Sequence, residues 1–162
     1  MITQKQRINT EDRRIENQFL LMIYGPMCSG KTTLSNLIFE SYDGIIKGST
    51  DYLKWLISDC GLNKYKALNN HLTLKLTDVG LENGLSAVVE GNSYIIAELT
   101  DRYKLIAEKH EVPFYEINIE ASYTALLNRF NQRVKTCLNE TAGTKLTIVD
   151  ESEMKRRYDI YM

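Results

Sequence analysis

Short apolar runs alternate with longer amphipathic stretches along this chain. The apolar runs have the length of buried strands, whereas the longer stretches repeat apolar residues at every third or fourth position, as helices do. Strands are predicted at residues 19–24, 43–47, 85–90, 112–120 and 146–149. Helices are predicted at residues 31–42, 51–60, 65–79, 93–110, 122–137 and 151–161.

Strand and helix alternation of this kind favours a parallel sheet, because the helices connect the strands and cover both faces of the sheet. We therefore expect an α/β fold of three layers, αβα, around a central parallel sheet. In such a sheet the ligand lies beyond the carboxyl ends of the strands. Candidate chemistry is therefore sought in residues that follow predicted strands.

The segment after the first predicted strand, residues 25–32, fits the P-loop pattern G-x-x-x-x-G-K-[ST]. Its glycines let the backbone curl around an anion, and the start of the next helix favours negative charge. Lys31 would reach the β- and γ-phosphates, and the Thr32 hydroxyl would face Mg²⁺. The sequence thus predicts a P-loop NTPase fold that binds ATP with Mg²⁺. The predicted nucleotide-binding residues are Gly25, Pro26, Met27, Cys28, Ser29, Gly30, Lys31, Thr32 and Thr33.

The overall composition is that of one globular domain. The 162 residues are 43% hydrophobic and carry a net charge of −1. Residues 1–17 are polar and are predicted to form an N-terminal arm, and residues 18–162 are predicted to form the P-loop domain. The absence of a basic surplus favours small substrates, although a local patch could still bind a short nucleic-acid end.

Three cysteines, Cys28, Cys60 and Cys137, are too far apart in sequence for a C-x-x-C pair. Reduced thiols and a cytoplasmic location are therefore expected. No apolar run approaches the ~20 residues of a bilayer span, so no membrane contact is expected. The oligomeric state stays open.

Two acids follow predicted strands. Asp51 begins a predicted helix, where it could accept the proton of an attacking hydroxyl or simply stabilise the helix start. Glu90 ends the strand at 85–90 and could hold Mg²⁺ or face solvent. Lys54, one turn after Asp51, could contact an acceptor phosphate or be a surface lysine. Asp51, Lys54 and Glu90 are thus the predicted substrate-binding residues, and Thr32 and Glu90 the predicted metal ligands.

Two cations, Arg129 and Arg133, lie one turn apart on a predicted helix. They repel each other unless an anion lies between them, and a bound triphosphate would supply that anion. The alternative is an ordinary polar helix face. Residues 138–144 would then form a small lid. The predicted catalytic residues are Lys31, Asp51, Arg129 and Arg133.

These segments together resemble the P-loop kinases of the polynucleotide 5′-kinase and zeta-toxin-like group. The resemblance spans residues 19–161 and lies in residues 25–33, 49–54, 88–92, 126–133 and 154–158. It implies that Asp51 is the general base, that Arg133 is the lid arginine that stabilises the transferring phosphoryl group, and that Arg129 supports it.

The chain departs from this group at three places. Lys54 stands where the group usually has an arginine that contacts the acceptor phosphate and base. Glu90 replaces the usual aspartate, and Pro26-Met27-Cys28 replaces a Pro-Gly pair. The first two departures affect residues that would contact the acceptor or the metal.

The sequence predicts an ATP-dependent kinase that phosphorylates a hydroxyl of a nucleoside, a nucleotide or a 5′-hydroxyl polynucleotide end. The alternatives are a kinase of a small metabolite or antibiotic, a nucleotide-dependent switch, and an inactive binding module. A GTPase switch is less expected, because Asn63-Lys64-Tyr65-Lys66 lacks the aspartate of a guanine-binding motif.

Overall fold

The computed structural model describes residues 17–57, 65–91, 96–139 and 151–161. The strands in these ranges are Leu20–Tyr24 (β1), Ile45–Ser49 (β2), Ser86–Glu90 (β3) and Phe114–Asn118 (β4). The helices are Lys31–Ser41 (α1), Thr50–Ile57 (α2), Lys66–Glu82 (α3), Ile96–Lys109 (α4), Tyr123–Asn139 (α5) and Glu151–Tyr161 (α6). None of these helices is long and apolar enough to cross a membrane. The predicted strand at 146–149 and most of the predicted arm and lid loop lie outside the described residues.

The second strand differs from its prediction of residues 43–47. It begins later, at Ile45, because Gly44 has a positive φ of 78° and forms a turn. It continues to Ser49 because its polar end is paired residue by residue with β3, with Lys47 opposite Val88 and Ser49 opposite Glu90. Hydrophobic patterning did not reveal this half of β2, since its residues are not apolar.

The sheet has the strand order β2-β3-β1-β4 and is parallel throughout. β1 is therefore central, and its connection through α1 passes over β3 to reach β2. All four strands end at one edge, which we call the carboxyl edge. The chain leaves β1 towards β3 and β2, whereas β4 lies on the other side of β1. In parallel sheets such a change of direction leaves a crevice for a ligand, here at the carboxyl end of β1.

Side chains of the central strands alternate between two cores. Leu20 and Met22 of β1 face α3 and α4, whereas Leu21 and Ile23 face α1. The first core also contains Leu74, Leu81, Ala87, Val89, Leu99, Tyr103 and Ala107. The second also contains Ile45 and Val88, with Leu34 and Ile38 of α1 packed against it. The predicted three-layer fold is therefore confirmed.

Small side chains let α3 lie close to β2. A Cβ at Gly48 would lie 2.8 Å from Val89 Cγ1 and 3.1 Å from Thr73 Cγ2, and one at Gly80 would lie 2.7 Å from Ile46 Cγ2. Thr73 thus lies over Gly48, and Gly80 over the earlier residue Ile46. α3 therefore runs antiparallel to β2, and its first turns lie at the carboxyl edge.

The apolar stripe that predicts α3 faces away from the sheet. It consists of Tyr65, Leu68, Leu72, Leu76 and Val79, which are 36–52% exposed. The buried face instead carries the polar or small residues Asn69, Thr73, Thr77 and Gly80, together with Leu74 and Leu81. The periodicity thus predicted the helix correctly but not which of its faces is buried.

Two leucines of α3 test this orientation. Leu74→Ala should lower the free energy of unfolding by about 2–5 kcal/mol, because it leaves a cavity against the sheet. Leu68→Ala should cost about 0.5 kcal/mol or less, since Leu68 is 44% exposed. Urea denaturation of both variants measures the difference. Equal losses would show that the stripe, and not Leu74, faces the core.

Candidate active site

The loop of residues 25–30 lies at the carboxyl edge between β1 and α1. Gly25 has a φ of 152°, and a Cβ there would lie 2.4 Å from the carbonyl oxygen of Ile119. Ile119 in turn donates its N–H to the Tyr24 carbonyl at 2.8 Å. The start of the loop is therefore held against the chain that follows β4, and only glycine fits at position 25.

The end of the loop is open. Gly30 caps α1 in the left-handed region with a φ of 109°, and no side chain caps the first turn of the helix. A Cβ at Gly30 would meet nothing within 4 Å. A helix start without a side-chain cap, bordered by empty space, is a suitable site for an anion.

The Lys31 amine lies inside the curl of the loop. Its Nζ donates to the carbonyl oxygens of Gly25 and Pro26, each at 2.8 Å. Burial lowers the pKa of Lys31, and the charges of Glu90 and Asp51 partly offset this effect. The lysine is therefore a desolvated cation with two acids near it, a state that an incoming polyphosphate would stabilise.

Glu90 lies at the end of β3 and is buried, with 8% exposure. Its Oε2 accepts from the Thr32 hydroxyl at 2.7 Å, and its Oε1 accepts from the Ser35 hydroxyl at 2.5 Å. Lys47 Nζ lies 3.1 Å from Oε1. The two predicted metal ligands, Thr32 and Glu90, are thus in direct contact. Ser35 and Lys47 were not among the predicted site residues. The only signal for Lys47 was a charged residue at the end of a predicted strand, on the side of the sheet where the ligand was expected.

Asp51 lies in the first turn of α2, directly after β2, and its side chain is exposed. Its negative charge raises the pKa of Lys31, which partly offsets the lowering by burial. Lys54 belongs to the same helix, but its side chain lies outside the described residues. The structure therefore brings one of the two predicted α2 residues into the site.

The two predicted arginines differ in their contacts. Arg129 Nη1 donates to the loop carbonyls of Cys28, at 3.3 Å, and Ser29, at 3.1 Å. Arg133 lies one turn further along α5, is exposed, and is near enough to contribute to the lowered pKa of Lys31. Arg129 thus holds the loop backbone, whereas Arg133 is exposed to solvent.

Apolar packing also holds the loop. Met27 and Cys28 pack against a cluster formed by Leu126 and Phe130 of α5 and Met154 of α6. Cys28 has a φ of 64°, an unfavourable conformation for a residue with a Cβ. This packing and the Arg129 contacts stabilise that conformation, so the helices after β4 help to shape the loop.

The residues of the loop fit a triphosphate and Mg²⁺. Besides the open helix start, the Ser29 hydroxyl is buried and has no hydrogen-bond partner among the residues that the structure describes. Hydroxyl and carboxylate oxygens are the ligands that Mg²⁺ prefers, and Thr32 and Glu90 offer both. In the described ranges, no cluster of three or more His, Cys, Asp or Glu side chains could hold a metal. A Mg²⁺ here would take its remaining ligands from phosphate and water.

A cavity of about 340 Å³ lies between the first turns of α3 and the first half of α4. Its lining consists of Lys66, Ala67, Asn70, Glu98, Leu99 and Arg102. The first turns of α3 lie at the carboxyl edge, and α4 follows the strand that ends in Glu90. The cavity thus borders the same edge as the loop, and its size suits a nucleoside-sized molecule.

Comparison with known proteins shows similarity in structure alone. No protein-family model and no curated protein matches the chain. A chain of the Pnkp1/Rnl/Hen1 RNA repair complex superposes on 94% of this chain with a TM-score of 0.71 and 14% identity. A Chloroflexus aurantiacus protein assigned as a kinase superposes on 88% with a TM-score of 0.67 and 18% identity. The tunicamycin resistance protein of Deinococcus radiodurans superposes on 89% with a TM-score of 0.52 and 16% identity.

These matches differ in how much of the other protein they include. The chain spans 47% of the RNA repair chain, 79% of the Chloroflexus protein and 94% of the tunicamycin resistance protein. At identities of 14–18% the similarity establishes the fold. The chain shares the three-layer α/β fold of these proteins.

Because the Lys31 amine is buried, we expect its contribution to the free energy of unfolding to depend on pH. A lowered folded pKa means that the unfolded chain binds more protons, so stability rises with pH as this group titrates. We expect the free energy of unfolding of the wild type, minus that of Lys31→Met, to increase as the pH is raised towards the ordinary lysine value of 10.5. Urea denaturation at several pH values measures it, with Lys75→Met as the control for the loss of a lysine. A difference that falls with pH would contradict the burial of the amine.

Proposed function

We propose that this protein is a P-loop kinase that transfers the γ-phosphoryl group of ATP to a hydroxyl of a nucleoside, a nucleotide or a 5′-hydroxyl polynucleotide end. The observation that carries the proposal is the Lys31 amine inside the open loop, bonded to the Gly25 and Pro26 carbonyls, with the Thr32–Glu90 pair at the same edge. Asp51 begins α2 at this edge, and its charge and that of Arg133 act on Lys31. Positive groups for a triphosphate and a carboxylate for an acceptor hydroxyl are thus present together.

The loop and Lys31 bind the phosphates in this proposal. The N–H groups at the start of α1 and the Lys31 amine contact the β- and γ-phosphates, and Lys31 gives up its contacts to the Gly25 and Pro26 carbonyls. Thr32 and Glu90 would hold Mg²⁺, which neutralises charge on the phosphates when bound. Arg129 keeps the loop in shape through the Cys28 and Ser29 carbonyls.

Asp51 and Arg133 serve the transfer step. Asp51 accepts the proton of the acceptor hydroxyl while the acceptor oxygen forms a bond to the γ-phosphorus and the bond to the bridging oxygen of ADP breaks. Arg133 stabilises the negative charge on the γ-phosphoryl oxygens. The exposed position of both side chains suits contact with a substrate that arrives from solvent.

The acceptor binds beside Asp51 and towards the cavity bordered by α3 and α4, with Lys54 as the residue predicted from the sequence to contact an acceptor phosphate. Lys66, Arg102 and Asn70 in its lining can bind a phosphate or the edge of a base, and Ala67 and Leu99 give it apolar walls. An RNA repair protein among the similar folds agrees with a nucleotide acceptor. The tunicamycin resistance protein keeps a small antibiotic-like acceptor as the second candidate.

Calorimetry tests nucleotide binding first. We expect Mg²⁺–ATP to bind the wild type, GTP to bind more weakly, and Lys31→Ala to lose measurable binding. A preference for GTP would favour the switch instead.

ATP consumption across nucleosides, 5′-hydroxyl oligonucleotides and small alcohols then identifies the acceptor. No turnover with any acceptor, together with normal ATP binding, would favour a binding module.

The proposed base is tested by Asp51→Asn. This variant should bind ATP as the wild type does but lose about 10²–10⁴-fold in turnover, because the acceptor proton has no acceptor group. Asp101→Asn, an exposed acid on α4, is the matched control and should keep full activity. Normal turnover by Asp51→Asn would show that another group takes the proton.

Substitution of Arg133 and substitution of Arg129 should affect different quantities, namely turnover and ATP affinity. Arg133→Met should lower turnover by about 10²–10³-fold with little change in ATP affinity, because its charge acts on the transferring group. Arg129→Met should weaken ATP binding, since it removes two hydrogen bonds that hold the loop backbone. Single-turnover kinetics and calorimetry measure the two quantities. Equal effects on both quantities in both variants would contradict the division of roles.

A further inference from the structure

We propose that Lys47 is a positioning residue that holds the Glu90 carboxylate in the orientation that a magnesium nucleotide requires. The inference rests on the proposed function, because Glu90 is placed there beside the metal. It concerns a residue that neither the loop pattern nor the candidate acids and arginines include. Its support is a set of contacts that join Lys47 to three elements around the carboxyl edge.

Lys47 is a lysine in an unusual position. Its side chain and that of Glu90 are each 9% exposed, and Nζ lies 3.1 Å from Glu90 Oε1. Nζ also donates a hydrogen bond to Asn36 Oδ1 of α1. Lysine is almost never buried without a partner, because removing the ammonium from water is costly. The contacts with Glu90 and Asn36 therefore fix the ammonium at this point.

The two carboxylate oxygens of Glu90 have different partners. Oε1 interacts with Ser35 and Lys47, whereas Oε2 accepts from Thr32 alone among the described contacts. The Thr32 hydroxyl uses its hydrogen for that bond, so its lone pairs remain for a cation. Oε1 is thus held by the protein, and Oε2 with the Thr32 oxygen forms the side that can face a metal or its water.

A glutamate needs this support more than an aspartate would. Its side chain has one more rotatable bond, and its carboxylate is buried next to apolar strands. Without Lys47, the Glu90 carboxylate would turn towards solvent, because an unpaired buried charge is strongly unfavourable. Lys47 therefore holds the Glu90 carboxylate in place, which is the role of residues behind metal ligands.

Lys47 also connects the metal side of the site to the proposed base. Its Nζ lies 5.0 Å from the centre of the Tyr52 ring, within the range of a cation–π interaction. Tyr52 follows Asp51 in the first turn of α2. One ammonium group thus contacts the acid of β3, the helix of the P-loop and the helix that carries Asp51.

The experiment compares ATP affinity with and without Mg²⁺, together with the stability of the nucleotide-free protein. The variants are Lys47→Met, which removes the charge, and Lys47→Arg, which keeps it. The matched control is Lys104→Met, which removes an exposed lysine from an ion pair with Glu116. Calorimetry in EDTA and in Mg²⁺ gives the two affinities, and urea denaturation gives the stability.

We expect Lys47→Met to reduce the affinity gained from Mg²⁺ by about 10–100-fold, as the loss of a residue behind a metal ligand does. ATP affinity in EDTA should stay near that of the wild type, because the loop contacts are unchanged. Lys47→Arg should recover most of the gain, and Lys104→Met should keep all of it. If Lys47→Met does not fold, Lys47→Gln, which keeps a hydrogen-bond donor, replaces it.

The outcomes separate this inference from the proposed function. If the wild type binds no ATP in either condition, both are overturned. If Mg²⁺ tightens ATP binding equally in the wild type and Lys47→Met, the proposed function stands and the positioning role fails. A loss of stability in Lys47→Met without any change in the Mg²⁺ effect would assign Lys47 a purely structural role and would also overturn the inference.

Discussion

A negative charge buried at the end of a central strand constrains much of this structure. The Glu90 carboxylate is removed from water and is balanced by donors from two other elements, Thr32 and Ser35 of α1 and Lys47 of β2. Each of these donors fixes the position of its own element relative to β3. The packing of α1 on the sheet and the shape of the candidate site therefore depend on the same interaction.

The fold was largely predictable from the sequence, because apolar strands, amphipathic helices and the P-loop are local signals. Their alternation predicts parallel strands, and every strand pair of the observed sheet is parallel. The exceptions are polar segments that are buried. The second half of β2 and the inner face of α3 have few large apolar residues, yet Gly48 and Thr73 are in close contact. Periodicity measures hydrophobicity, and it cannot detect burial that depends on close approach of small residues.

The candidate site also contains some residues that the sequence could predict and others that it could not. Lys31, Thr32, Asp51 and Glu90 were predictable, because each follows a strand or belongs to the loop pattern. Their partners were not, because Ser35 and Lys47 reach Glu90 only through tertiary packing. The sequence predicted that Arg129 supports Arg133, but it did not show what Arg129 contacts, which is the loop carbonyls of Cys28 and Ser29. Roles that depend on which side chain reaches the loop require the three-dimensional arrangement.

The contact of Met27 and Cys28 with α5 and α6 has a consequence for folding during translation. Residues 25–30 are synthesised long before Leu126, Phe130 and Met154, with which the loop packs. During translation Met27 and Cys28 therefore lack their apolar partners until α5 and α6 have emerged from the ribosome. The packing that supports the loop conformation forms only then, and a chain truncated before α5 would expose these two apolar side chains.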